Sequence, residues 1–446
     1  MTTSPAPAPP ADARRARIGV ALLFLTNGAI FANLLPRYPG IKADLDLSNT
    51  VYGFAVVAVP VGAIAAGLAA GVLVRHLRSS RVALVGTLLT AVAVLGAAVS
   101  PSWLWLAAAF FAAGALDAVT DVAQNSHGLR VQRRFGRSII NSFHAVWSVG
   151  AVLGGLMGGA AAALDVPRGP HLAVSGLLFA VVAVVAYRLL LPGPEPQHGE
   201  LDAGEPGSET GSATATAADA AAAAEPGADA VTAAGGAAAG APVAPGPTGP
   251  TRPSGTPGRL AVLGLLAAFV VIGASGTLVE DAGQSWAALY LTGAFGTTAG
   301  IAALGFVALQ GAQFVGRMLG DRLVDRFGQR AVARTGGALV LVGFGLALAF
   351  PSVPGTIAGF AAAGLGVATL VPAAMQGADD LPGLRHGTGL AVVSWLMRIG
   401  FLLPPVVGAI ADASSLRIGL LVVPVSGLLV VVLAQALSGR RRRPVA

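Results

Sequence analysis

The chain is 446 residues long, 54% hydrophobic and only 11% charged, with a net charge of +7 at neutral pH. A soluble globular protein carries about 25% charged residues, so this chain has too few to cover a large soluble surface. The absence of cysteine excludes disulfides, zinc–thiolate sites, iron–sulfur clusters and thiol nucleophiles. The positive charge does not imply nucleic acid, because the arginines sit between hydrophobic runs and form no continuous basic face.

Residues 1–17 are proline-rich and end on Arg14, Arg15 and Arg17. They read as a disordered cytoplasmic tail before a retained first helix, since the apolar run continues to Leu35 without a small-residue cleavage site. Runs of about 20 apolar residues, each able to span a bilayer, then recur over 18–38, 49–74, 81–99, 102–125, 139–163, 171–191, 259–291, 298–322, 331–350, 354–376, 386–411 and 415–437. This pattern predicts an all-α integral membrane protein with twelve transmembrane helices. The spans divide six and six, into bundles over 18–191 and 259–437. Between them, 192–258 is built from Ala, Gly, Pro, Thr and Ser with eight acids from Glu195 to Asp229, a composition that forms no packed core. It is expected to be a disordered acidic cytoplasmic linker, and 438–446 a basic cytoplasmic tail.

With both termini cytoplasmic, 22 of the 28 basic residues fall inside and only Arg37, Lys42, Arg168 and Arg417 outside. That asymmetry predicts a multi-pass protein of a bacterial-type inner membrane in that orientation. Arg317 and Arg398 remain within spans. The halves repeat at an offset of 250: Phe110, Gly114, Gly150 and Gly158 align with Phe360, Gly364, Gly400 and Gly408. Two parallel six-helix repeats are a plan of secondary transporters.

Polar residues in hydrocarbon normally face a bundle interior or a water-filled cavity. Asp117, Asp121, Gln124 and Asn125 share one face of the fourth span. Asp117 lies deepest and suits a cavity; the others suit either a cavity or the capping of the cytoplasmic end. A short loop carrying Arg130, Arg133, Arg134 and Arg137 is expected next. In the fifth span Asn141, His144 and Ser148 share a face beside Trp147, with His144 open between a gate or substrate role and packing. Gly150, Gly154 and Gly158 then form a small-residue ridge for close helix approach. The seventh span carries Glu280, Asp281, Gln284 and Trp286, and Gly273, Gly276 and Gly283 predict a break in it. Glu280 and Gln284 share a face, whereas Asp281 points about 100° away and is expected to leave the cavity to Glu280. In the eighth span Arg317 is expected to pair with Asp321, and Arg398 in the eleventh must find a carboxylate, a carbonyl or an anionic solute.

The run from Gly320 to Arg330, G-D-R-L-V-D-R-F-G-Q-R, resembles the cytoplasmic signature of the major facilitator superfamily. The resemblance implies an inner gate at Asp321, Asp325, Arg326, Gly328 and Arg330. In the first-half copy, Arg75 stands where the acid is expected and Arg78 where the glycine is. The runs N-S-F-H-A-V-W-S-V-G at 141–150, D-V-A-Q-N at 121–125 and E-D-A-G-Q-S-W at 280–286 are similar to the fucose-permease-like, sugar-permease-like bacterial branch.

The resemblance implies a proton-coupled secondary transporter moving a small sugar-like or other polar solute by alternating access, with spans 1, 4, 7 and 10 lining the cavity. Glu280, Asp117 and Asp121 are the candidates for the proton. Asn33, Asn125, Asn141, His144, Trp147, Gln284, Trp286 and Arg398 are the candidates for the solute. A drug/proton efflux antiporter is the alternative within the class; a non-transporting receptor or scaffold is the rival outside it. No metal cluster, P-loop or nucleophile elbow is present in the sequence. No enzymatic activity is expected, and no cofactor beyond a coupling proton. The expected partners are the solute and the lipid bilayer, with the protein monomeric.

Overall fold

The computed structural model describes residues 9–136, 139–193, 259–381, 384 and 388–438. Nearly all of the expected linker, Arg137, His386, residues 1–8 of the N-terminal tail, residues 439–446 and the Asn141 side chain lie outside the described residues. Among the described residues twelve helical segments are long and apolar enough to cross a membrane. They are α1 (Ala11–Asp44), α2 (Asn49–Leu77), α3 (Ser79–Ala98), α4 (Trp103–Phe135), α5 (Ile140–Ala163), α6 (Arg168–Leu189), α7 (Arg259–Phe295), α8 (Ala299–Phe327), α9 (Gln329–Ala349), α10 (Val353–Asp379), α11 (Thr388–Ala413) and α12 (Leu416–Ala436).

Several helices outrun the apolar stretches that announced them. The first begins at Ala11, directly after Pro10, and not at residue 18. The fourth runs on to Phe135, so Arg130, Arg133 and Arg134 lie on helix and not in a loop. The eighth runs on to Phe327, placing Asp321, Asp325 and Arg326 on helix as well. Arginine is a good helix former, so a helix leaving the hydrocarbon continues until a backbone signal stops it. At α4 that signal is Gly136 in the left-handed region, φ +75°.

The expected break in α7 is absent: the helix is continuous over 37 residues. Its glycines serve close packing, Gly273 against Met397, Gly276 against Val371 and Gly283 against Leu309. Two breaks fall just ahead of prolines, which remove a helical N–H, although Pro60 sits inside a continuous α2. The tenth span is interrupted at Ala368–Thr369, ahead of Pro372, and the eleventh carries a 3₁₀ turn over Met397–Leu402 ahead of Pro404 and Pro405.

The repeat is visible helix by helix. Both ends of α2 and α8 are displaced by 250 positions, as are the starts of α3 and α9 and of α4 and α10. Ser102 and Ser352 cap α4 and α10 alike, accepting from the N–H of Trp105 and Gly355. Gly328 and Arg78 end α8 and α2 in matching conformations, φ/ψ +85°/153° and +73°/137°. Glycine adopts that geometry freely, whereas a side chain there costs about 1–3 kcal/mol. Arg78→Gly is therefore expected to stabilise the protein by about 1 kcal/mol, read as a higher midpoint in thermal unfolding of the purified protein; an unchanged or lower midpoint would show that the Arg78 side chain offsets the strain.

Within the first bundle α1 and α5 pack backbone to backbone. Gly150, Gly154 and Gly158 sit against the carbonyls of Leu25, Ala29 and Asn33, so both helices advance by four residues together. A Cβ on Gly154 would collide with the Ala29 backbone. Overpacking of this kind costs about 1–3 kcal/mol. Gly154→Leu should lower the melting temperature sharply, whereas Gly293→Ala, with open space around it, should leave it unchanged. Equal melting of the two variants would place Gly154 outside the packing.

The bundles meet along two symmetry-related seams. At one, Gly53 of α2 lies against Pro404 of α11, and Gly408 of α11 against Asn49 of α2. At the other, Gly155 and Gly159 of α5 lie against Phe306 and Ala303 of α8. The inter-bundle hydrogen bonds gather at one end. The Asp412 carboxylate accepts from the backbone N–H of Asn49 and Thr50 at 2.9 and 2.8 Å, and from the Asn49 amide and Thr50 hydroxyl at 2.8 and 2.6 Å. Beneath it, Tyr52 Oη donates to the Ser285 carbonyl at 2.8 Å, and its ring sits edge-on to Trp286 and Tyr38 at 5.1 and 5.9 Å.

Candidate functional site: a carboxylate-lined cavity between the bundles

Below this seal lies a cavity of about 160 Å³ lined by both bundles. Asn27, Asp117 and Trp147 form its first polar wall, from α1, α4 and α5. Asn27 joins them: its amide nitrogen donates to Asp117 Oδ1 at 2.8 Å, and its oxygen accepts from Trp147 Nε1 at 2.8 Å. The second wall comes from α7 and α8 and holds Glu280, Asp281, Gln284, Ser285 and Gln310, with Arg398 from the 3₁₀ turn of α11. Glu280 is 7% exposed. Its Oε2 accepts from Gln313 Nε2 at 3.3 Å and lies 4.0 Å from Arg317. Ser285 donates to Asp281 Oδ1 at 3.2 Å. Apolar side chains, among them Phe31, Val59, Phe306 and Phe401, make up the rest.

The cavity thus collects Asp117, Trp147, Glu280, Gln284 and Arg398 of the residues singled out in sequence. It does not collect Asn33, which is fully buried between α1 and α6, its oxygen 3.2 Å from His171 Nε2. Asp121 and Asn125 lie on α4 beyond the cavity wall, where the Asn125 amide donates to Asp121 Oδ1 at 3.0 Å. His144 is packed edge-on to Phe24 at 5.2 Å, outside the lining. Trp286 is fully buried in the seal. Two pairing expectations also change. Arg317 faces Glu280 and not Asp321, because α8 turns that side of its helix toward α7. Asp281 lines the cavity beside Glu280, because the cavity is wide enough to take residues 100° apart on one helix. Nor does α10 contribute to the lining; α2, α5, α8 and α11 do.

On the far face, Asp321, Asp325 and Arg326 are exposed. Arg330 is tied to the end of α12: its backbone N–H donates to the Ser438 carbonyl and its Nε to the Leu437 carbonyl, both at 3.1 Å. Asp412, which closes the opposite face, was missed in sequence, where it passes for a loop residue. The signal available was the Ser48-Asn49-Thr50 helix start, whose unsatisfied N–H groups require an acceptor.

Twelve membrane helices in two repeated bundles around a polar cavity define a multi-pass membrane protein of transporter architecture. The sequence profile of the Major Facilitator Superfamily matches residues 20–283 and 264–446, and the chain belongs to that family. It is 28% identical over 424 residues to an uncharacterized transporter, y4wD, of Sinorhizobium fredii, an alignment covering 94% of this chain and 97% of that one. Among solved structures, a bacterial homologue of the human lysosomal transporter Spinster, inward-facing and unoccupied, superposes with a TM-score of 0.67 at 12% identity, covering 96% of this chain and 98% of that one. A D-xylose–proton symporter superposes at 0.60 and 14% identity, covering 95% of each chain. At these identities the structural likenesses establish the fold.

Proposed function

We propose that the protein is a secondary active transporter of the inner membrane that moves a small polar solute by alternating access, coupled to protons through Glu280. The observation that carries this reading is the cavity between the bundles, sealed at one face and lined by carboxylates from both halves. By the distribution of Lys and Arg, the sealed face is the outer one, so the conformation is inward-facing. The fucose-permease-like resemblance and the superposed D-xylose–proton symporter support a proton-coupled importer over an efflux antiporter. On this reading Asp321, Asp325, Arg326, Gly328 and Arg330 form the inner gate, disengaged in this state and assembled when the bundles rock the other way. Asp117 is the reserve proton carrier, and Asn27, Trp147, Gln284 and Arg398 hold the solute.

The test uses the cysteine-free background. Ala63 lines the cavity on α2, and Ala63→Cys should be labelled by a membrane-impermeant thiol reagent from either side of oriented vesicles. Labelling from one side alone would favour a receptor or scaffold.

A further inference from the structure

The charges lining the cavity do not balance. Asp117, Glu280 and Asp281 face a single lining cation, Arg398. Glu280 has its own counter-charge in Arg317, 4.0 Å away, with Gln313 adding a hydrogen bond. Asp117 and Asp281 are held by neutral donors, Asn27 and Ser285. In the ionised forms, and with Arg398 set against one of them, one carboxylate of the wall is left over. A buried carboxylate is stable when paired and hydrogen-bonded.

A second observation is independent of charge. Gln310 on α8 lines the cavity and is 0% exposed, yet among the described residues neither its amide nitrogen nor its amide oxygen has a hydrogen-bond partner. A buried amide with both ends unmatched is rare in native structures and calls for a partner, which a bound ligand would supply. Its carbonyl is an acceptor suited to a second N–H of the same ligand. Trp147 in the first wall, its indole nitrogen fixed on Asn27, and Phe306 of α8 supply aromatic faces to the same cavity, and such faces attract cations.

Resting on the reading of this cavity as the transport site, we propose that the solute is a small organic monocation, a protonated amine, neutralised by Asp281 and Asp117 and hydrogen-bonded by Gln310. A sugar acid or other organic anion would meet the wrong sign of charge. A neutral sugar can satisfy Gln310 through its hydroxyls but leaves a carboxylate without a counter-charge.

The test reads the sign of the cavity directly in full-length Ala63→Cys protein in detergent. The permanently charged trimethylammonium-ethyl methanethiosulfonate should react at least about tenfold faster than the sulfonatoethyl reagent, relative to the same pair on free cysteine, because a cleft of one sign concentrates the opposite ion. Asp281→Asn and Asp117→Asn, each added separately and checked for folding by size-exclusion chromatography, should each lower that ratio. Protection is then measured with an uncharged maleimide: ethanolamine, glucosamine and tyramine are compared with ethylene glycol, glucose and tyrosol. At least one amine should slow labelling more than its uncharged counterpart, and Gln310→Leu should weaken that protection. A ratio of one or below, a ratio indifferent to both aspartates, or no amine outperforming its counterpart would overturn the assignment. The transporter reading fails by a different result, one-sided labelling in vesicles, so the two failures are distinguishable.

Discussion

Replacing Asp412 with asparagine should open the sealed face. The first N–H groups of a helix lack intrahelical acceptors and carry the positive end of its dipole. In α2, Ser48 takes the N–H of Val51, and Asp412 of the other bundle takes those of Asn49 and Thr50 together with both side chains. One carboxylate therefore caps a helix and joins two bundles. Asparagine keeps the shape but loses the charge and one acceptor. Charge-assisted hydrogen bonds contribute about 1.5–3 kcal/mol each when shielded, but this site is exposed to water, and screening reduces the net effect to about 1 kcal/mol. That is roughly a fivefold shift in the ratio of sealed to open molecules, and Asp412→Ala should shift it further. Spin labels at Ala43 and Ser414, exposed positions on that face in opposite bundles, would show a longer-distance population growing from wild type to asparagine to alanine. Identical distance distributions in all three would remove Asp412 from the seal.

The fold was legible because the bilayer enforces it. Each span must be apolar for about 20 residues, so twelve of them could be counted, and a duplicated six-helix unit leaves matched residues at a constant offset. What hydropathy does not mark is where a helix stops after leaving the hydrocarbon. Stops such as Gly136 and Gly328 are backbone events, and the arginines preceding them are compatible with helix or loop. Glycine and proline also proved unequal as helix breakers. Gly273, Gly276 and Gly283 of α7 lie under neighbouring side chains and cost the helix only about 1 kcal/mol each. Pro372, Pro404 and Pro405 each delete a hydrogen bond, and the interruptions of α10 and α11 precede them.

The candidate site was legible in part, for a related reason. Periodicity tells which residues share a face but not which way the face turns. Asp117 and Asp121 are one helical turn apart, yet Asp117 meets Asn27 at the cavity and Asp121 turns back to Asn125. Asn33 looked like a lining residue by its place in α1, but Gly158 draws α5 onto its carbonyl and His171 takes its side chain. The partner of Arg317 depended on α7, which sequence spacing along α8 cannot show. Asp281 was set aside by treating the cavity as a narrow stripe; seven helices contribute to it, and it spans a wide arc.

Glu280→Gln is expected to abolish solute accumulation driven by a proton gradient while leaving exchange between equal concentrations intact. Glu280 is the cavity carboxylate with a cation of its own, and it spans two helices: it sits on α7, and Arg317 and Gln313 reach it from α8. As a carboxylate it holds Arg317 toward α7. On the proposed coupling, proton uptake would remove that charge–charge attraction and leave only the Gln313 hydrogen bond, so Arg317 would no longer be held toward α7. Glutamine reproduces the protonated form permanently. The cavity can still bind and rock, so exchange survives, but no proton is carried and the accumulation ratio falls to one. Arg317→Gln gives the complementary case: Glu280 without its counter-charge should retain exchange and lose most of its response to the gradient. Labelled-solute counterflow and pH-jump uptake in the same proteoliposomes measure the two activities side by side. Full accumulation in Glu280→Gln would transfer the proton to Asp117, which accepts from the amide of Asn27, and Asp117→Asn would then be the variant that loses it.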